Sequence, residues 1–154
     1  LQSHTSPLYR RKALTAMNEQ KAGTKKKILI IDDERSVVTY LETLLQDNGY
    51  ETVSAEDGRI GFEKAKSEKP DLVCLDITMP EESGIRFYRN LKNDPQLGST
   101  PVVIVTAVTG EDGDPEHIKK FLSIRKRLPA PEAFFSKPIN RQEFLKTLVK
   151  ILDA

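Results

Sequence analysis

Ile28-Leu29-Ile30-Ile31-Asp32-Asp33-Glu34 puts four consecutive large apolar residues directly before three acids. A run of four is too short for a helix and apolar on both faces, which is how a strand buried in a parallel sheet reads. In 36–48, Val37, Leu41, Leu44 and Leu45 then recur at helical spacing, and Gly49 stands where that helix would end. The alternation repeats along the chain. Strands are predicted at 51–55, 71–75, 102–105 and 133–136, the third and fourth introduced by Pro70 and Pro101. Helices are predicted at 58–67, 84–93 and 115–128, the one at 84–93 stopped by Pro95. A last helix starts at Asn140, with Glu143 completing a capping box ahead of Phe144, Leu145, Leu148, Val149 and Leu152. Five β–α units in succession predict an α/β domain: a doubly wound parallel sheet with helices on both faces. In such sheets functional groups gather beyond the carboxyl ends of the strands.

The surrounding composition narrows the class. The chain has 154 residues, 38% hydrophobic and 31% charged, with one cysteine and no tryptophan. No apolar run approaches the roughly 18 residues of a membrane span. Cys74 cannot form an internal disulfide, so a reducing cytoplasm is expected, and its apolar neighbours make it a small buried hydrophobe. One Cys and two distant histidines, His4 and His117, argue against a four-ligand structural zinc site. The net charge of +1 conceals an uneven distribution. Residues 1–27 carry seven basic side chains against Glu19 alone, a charge of +6, and residues 28–154 carry 17 basic and 22 acidic side chains, a charge of −5. An acidic domain argues against direct nucleic-acid binding. Residues 1–24 show no period and read as a disordered basic tail or a cloning remnant ahead of a domain at 25–154.

At the predicted strand ends stand Asp32-Asp33-Glu34, Asp76, Thr106 and Lys137-Pro138. A parallel sheet brings them to one edge. Taken singly each has a plain structural reading: a helix N-cap for the acid pair, a loop carboxylate, a strand-end threonine, a solvated lysine. Taken together they are carboxylates, a hydroxyl and an ammonium converging from four strands. Two like charges at about 4 Å cost about 4 kcal/mol at an effective dielectric near 20. The cluster therefore calls for a divalent ion, the Lys137 ammonium, or both. Hard oxygen donors of this kind suit Mg²⁺. With Asp32 and Asp33 on the metal, Asp76 is placed to attack a phosphoryl group, and Thr106 and Lys137 to hold its oxygens.

ILIIDDE at 28–34, DLVCLDITMP at 71–80, PVVIVTA at 101–107 and SKP at 136–138 together resemble the receiver domain of bacterial response regulators, over essentially the whole of 25–154. The resemblance implies a flavodoxin-like five-stranded sheet of order 2-1-3-4-5, as chemotaxis receivers exemplify. It implies Asp76 as phosphoacceptor, served by a sensor histidine kinase or a histidine phosphotransfer protein. By the same token Asp33 is the direct metal carboxylate and Asp32 its partner, with the Thr78 carbonyl completing the protein's share of a Mg²⁺ or Mn²⁺ shell. Thr106 becomes the switch hydroxyl, Lys137 the ion-pair lysine, usually before a cis proline, and Phe134 the switch aromatic. Such a domain is a phosphoacceptor with slow autodephosphorylation, not a turnover enzyme. Thr78 and Val108 would flank the approach of the hydrolytic water.

Two departures from the family stand out. Phe134 occupies a position where a tyrosine is frequent, so the polar half of the coupling to the threonine is missing; a plain core role is the alternative. The connection from Thr106 to Lys137, 31 positions, is longer than usual. Its extra chain includes Gly110, Gly113 and Pro115 before the fourth predicted helix and Pro129 and Pro131 after it, while Lys119, Lys120, Arg125, Lys126 and Arg127 give that helix a basic face. This alters the face of fourth helix and fifth strand through which a downstream protein, or a second copy in a homodimer, would read the switch. Three other readings use the same residues: a pseudo-receiver serving only for interaction or dimerisation, a piece of a larger regulator or hybrid kinase, and an aspartyl phosphatase. The last usually carries two acids spaced two apart on the first strand, unlike the adjacent pair here.

Overall fold

Alternate residues of β1, Lys27–Ile31, belong to opposite apolar layers: Ile28 and Ile30 to one, Leu29 and Ile31 to the other. This is the period-2 consequence of a strand buried on both faces. The computed structural model describes residues 25–107, 121 and 128–153. In it β1 runs parallel to β2 (Glu51–Ala55) and β3 (Leu72–Leu75), β3 to β4 (Val102–Thr106), and β4 to β5 (Ala133–Ser136). The sheet is doubly wound and parallel as the strand pattern predicts, and its order is 2-1-3-4-5, as the family resemblance implies. Four helices are described: α1 (Arg35–Asp47), α2 (Gly58–Glu68), α3 (Ser83–Asn93) and α4 (Arg141–Leu152). Val38, Leu41, Leu44 and Leu45 of α1 join Phe144 and Leu148 of α4 in the layer of Ile28, Cys74 and Val103. Ile85, Phe87, Tyr88 and Leu91 of α3 join Ala65 of α2 and Phe121 in the other.

Local chemistry sets the element ends. Gly49 takes φ +89 just after α1, a conformation that costs glycine little. The Asn140 side chain accepts from the Glu143 N–H at 3.1 Å and caps α4. β3 starts one residue later than predicted because Asp71 is engaged as a clamp on β1, its N–H donating to the Lys27 carbonyl and its carboxylate accepting from the Lys27 N–H, both at 2.8 Å. A short 3₁₀ turn, Pro80–Glu82, precedes α3 and was not legible in the sequence; Glu81 and Glu82 both take φ 59, a left-handed conformation that side chains rarely adopt. At the start of α3, a Cβ added to Gly84 would collide with the Asp76 carbonyl oxygen and lie 2.9 Å from the Ile77 Cα. Helix and strand therefore approach backbone to backbone.

Cys74 is buried, and burial pushes its thiol up to about 12. The tail 1–24, most of the predicted helix 115–128 with its basic residues, the glycines before it, Val108 and both histidines lie outside the described residues. Of that stretch, Phe121 is fully buried with its ring edge-on to Tyr88, centroids 4.9 Å apart. The Tyr88 hydroxyl donates to the Pro129 carbonyl, which ties the end of the long connection to α3. Among the described residues no helix is long and apolar enough to cross a membrane.

Candidate functional site

Ile31 pairs with Leu75 across the sheet, so Asp32 and Asp76, each the next residue, leave their strands side by side. Thr106 ends β4, and Lys137 follows Ser136, its partner on β5. Asp32 is 3% exposed, Asp76 2% and Thr106 fully buried, while Asp33 faces solvent. One carboxylate oxygen from each of Asp32, Asp33 and Asp76 lies within 4.8 Å of the others. The Lys137 ammonium sits 2.9 Å from Asp32 Oδ2 and 3.5 Å from both Asp76 Oδ2 and Glu34 Oε1. The Lys137–Pro138 peptide is cis.

The two oxygens of Asp76 have different surroundings. Oδ1 accepts three hydrogen bonds, from the Thr78 N–H at 2.9 Å, the Thr78 hydroxyl at 2.7 Å and the Thr106 hydroxyl at 2.8 Å. Oδ2 faces Lys137. Neither acid of the pair Asp32-Asp33 is the N-cap of α1: that position is Glu34, whose N–H donates to Asp32 Oδ1 at 2.9 Å. The Asp32 side chain thus closes the turn out of β1 and stays aimed into the pocket. Phe134 is outside this cluster. It is 44% exposed, which excludes the core reading, and its ring stacks edge-on against Phe121 at 5.8 Å. Its neighbour on β4 is Ile104, two residues before Thr106.

Two contributions went unread in the sequence. Thr78 reaches Asp76 through its own N–H and hydroxyl, and Glu34 supplies a third carboxylate to Lys137. The first could have been found, because a threonine two residues after a buried aspartate is placed for a side-chain turn. The Thr78 and Thr106 hydroxyl oxygens lie 3.2 Å apart, so both converge on Asp76 Oδ1. Thr78→Ala removes one of three donors on Oδ1 and opens space beside it. If Asp76 takes a phosphoryl group, as the resemblance implies, the expected result is a severalfold change in the decay rate of the phosphorylated protein, followed by intact mass after donor removal; unchanged decay contradicts it.

The pocket is electrostatically unbalanced. Burial pushes the Asp32 carboxyl up to about 6 from 3.8, and the Asp76 charge adds to this against the opposing bonds from Lys137 and the Glu34 N–H. Burial and the Asp76 charge also raise Asp33. Burial disfavours the Lys137 ammonium, but Asp32, Asp76 and Glu34 outweigh it and the lysine is raised. A carboxyl raised in the folded state binds its proton more tightly there than when unfolded. Ionising Asp32 therefore costs stability, absent below about pH 4, growing between 4 and 6 and complete above. At about 1.4 kcal/mol per pH unit the cost is on the order of 2–3 kcal/mol. Lys137 works the other way, with its contribution present below its ordinary 10.5 and lost only as pH rises through its higher folded value. Asp32→Asn, which also gives up the Lys137 bond, should stabilise the metal-free protein by about 1–2 kcal/mol at pH 7.5 and by much less at pH 4.5. Urea unfolding at the two pH values checks it, and an equal change at both would contradict it.

Residues 28–149 match the response regulator receiver domain family. The chain belongs to that family. The receiver is 32% identical over 127 residues to the polar-differentiation response regulator DivK of Brucella anthropi, an alignment covering 82% of this chain and 96% of that protein. The DivK of Brucella ovis matches to the same extent. Among solved structures, the chemotaxis protein CheY4 of Vibrio cholerae superposes with a TM-score of 0.69 at 32% identity, covering 83% of this receiver and 99% of that chain. The receiver domain of a signal transduction histidine kinase from Syntrophus aciditrophicus gives a TM-score of 0.71 at 26% identity over 83% of this chain and 90% of that one. The protein is thus a receiver domain of two-component signalling, with the flavodoxin-like fold.

Proposed function

We propose that this receiver accepts a phosphoryl group on Asp76, with Mg²⁺, from a sensor histidine kinase or a histidine phosphotransfer protein, and passes the signal to a partner in trans. The observation that carries this is the asymmetric acceptor: a buried carboxylate beside two others, whose Oδ1 takes three donors and whose Oδ2 faces an ammonium. The donor set fits a small hard cation, because three crowded carboxylates share one ammonium, and Asp32 is already pushed toward its neutral form. Asp32, Asp33 and Asp76 would hold it together with the Thr78 carbonyl, and Mn²⁺ can stand in for Mg²⁺. When bound, the ion supplies neutralising charge and draws electron density from a phosphoryl oxygen.

The residues do the rest. Asp76 Oδ2, the oxygen with spare lone pairs, attacks the phosphorus of a phosphohistidine. The P–N bond breaks as the P–O bond forms, and the imidazole nitrogen keeps the electron pair. Lys137 and the Thr106 hydroxyl hold phosphoryl oxygens, giving position and charge rather than covalent chemistry. Water later attacks the same phosphorus and the P–O bond to Asp76 breaks, restoring the carboxylate and releasing inorganic phosphate; because this step is slow, the protein acts as a switch and not as a turnover enzyme. If the phosphoryl group favours one of two conformations by about 2–3 kcal/mol, their ratio moves roughly 30- to 150-fold. A downstream protein would read that shift at the exposed Phe134 on β5.

Intact mass after incubation with acetyl phosphate tests the reading. A gain of one phosphoryl group with Mg²⁺ and none in chelator is expected. No gain under any condition would overturn it in favour of a domain used only for interaction.

A further inference from the structure

Lys137 is claimed by more carboxylates than its expected role requires. Its side chain is 15% exposed, and its ammonium is divided among Asp32 at 2.9 Å, Asp76 at 3.5 Å and Glu34 at 3.5 Å. Asp76 is the acceptor and Asp32 belongs to the acidic trio. Glu34 does not: no oxygen of it is among the three that cluster within 4.8 Å. Its backbone is fixed as the N-cap of α1 by the bond from its N–H to Asp32, while its carboxylate reaches over the pocket mouth, 47% exposed. Among the described residues that carboxylate has one partner in the pocket, and the partner is the lysine.

During transfer the ammonium must move onto the phosphoryl oxygens, where charge accumulates. A carboxylate that stays at its side throughout competes for it. We propose that Glu34 is a positioning residue for the acceptor lysine: its carboxylate holds the Lys137 ammonium at the pocket mouth and so slows phosphoryl transfer onto Asp76. The inference rests on the phosphoacceptor reading above. A half-exposed pair of this kind corresponds to about a two- to fivefold effect on rate.

The experiment compares wild type, Glu34→Gln and Glu34→Asp under saturating Mg²⁺, with acetyl phosphate and with the less negatively charged phosphoramidate, following phosphoryl gain by intact mass. Glu34→Asp keeps the charge and is a favourable N-cap, but is one methylene too short to keep the lysine. A tether predicts that both variants react two- to fivefold faster than wild type, and by the same factor with either donor. Three results overturn it: no acceleration in Glu34→Gln, a Glu34→Asp variant as slow as wild type, or an acceleration confined to the more charged donor, which would mark simple repulsion. A wild type that takes no phosphoryl group from either donor removes the underlying reading and this inference with it. Unequal failure, with wild type reacting normally and the variants unchanged, removes only the role of Glu34.

Discussion

Asp76→Asn takes phosphorylation below detection, with no mass gain from acetyl phosphate at any Mg²⁺ concentration, while the protein stays folded. The change is isosteric, and an amide oxygen at the Oδ1 position still accepts from Thr78 and Thr106. What disappears is the second oxygen, which faces Lys137 at 3.5 Å and carries the nucleophilic lone pair. An NH₂ group there has nothing with which to attack phosphorus. Stability should hold or rise, because Asp76 is one of the charges that push Asp32 upward. The two readouts separate the roles: a variant that unfolds would make Asp76 structural, and one that still gains a phosphoryl group would move the acceptor elsewhere.

Gly84→Ala should lower stability by about 3 kcal/mol, on the order of 10 °C in the midpoint of thermal unfolding. The sign is informative, since in an ordinary helix alanine is better than glycine by about 1 kcal/mol. Here the new methyl meets the Asp76 carbonyl and the Ile77 Cα, which are backbone and cannot rotate away. Either α3 backs off the sheet or β3 shifts at the residue that carries the acceptor. A displacement of about 1 Å at a reacting group can cost 10²-fold in rate, so phosphorylation of the folded fraction should fall as well. A variant as stable as wild type by calorimetry would show that the contact relaxes freely.

The sequence carried the sheet because its strands are buried on both faces, and continuous apolar runs such as 28–31 and 102–105 admit few other readings. It carried Asp32, Asp76, Thr106 and Lys137 to one edge because each directly follows a strand, and parallel register does the rest. What it hid depends on side-chain reach and backbone conformation. The 3₁₀ turn at Pro80–Glu82 needs two glutamates in left-handed conformation, which no propensity favours. The exposure of Phe134 depends on how Phe121, thirteen positions away, packs against it. Glu34 looked like one more acid in a run, and only the distance to Lys137 gives it a partner.

The closest ion pair of the pocket joins Asp32 to Lys137, the first and last of its strand-end groups in the chain. A nascent chain emerging from the ribosome therefore displays Asp32, Asp33 and Asp76 long before the lysine that balances them has been made. Until β5 docks, the carboxylates repel one another without compensation, and strand pairings this distant in sequence form slowly. The balanced pocket is thus completed only when β5 has been made and docked, because Lys137 follows that strand.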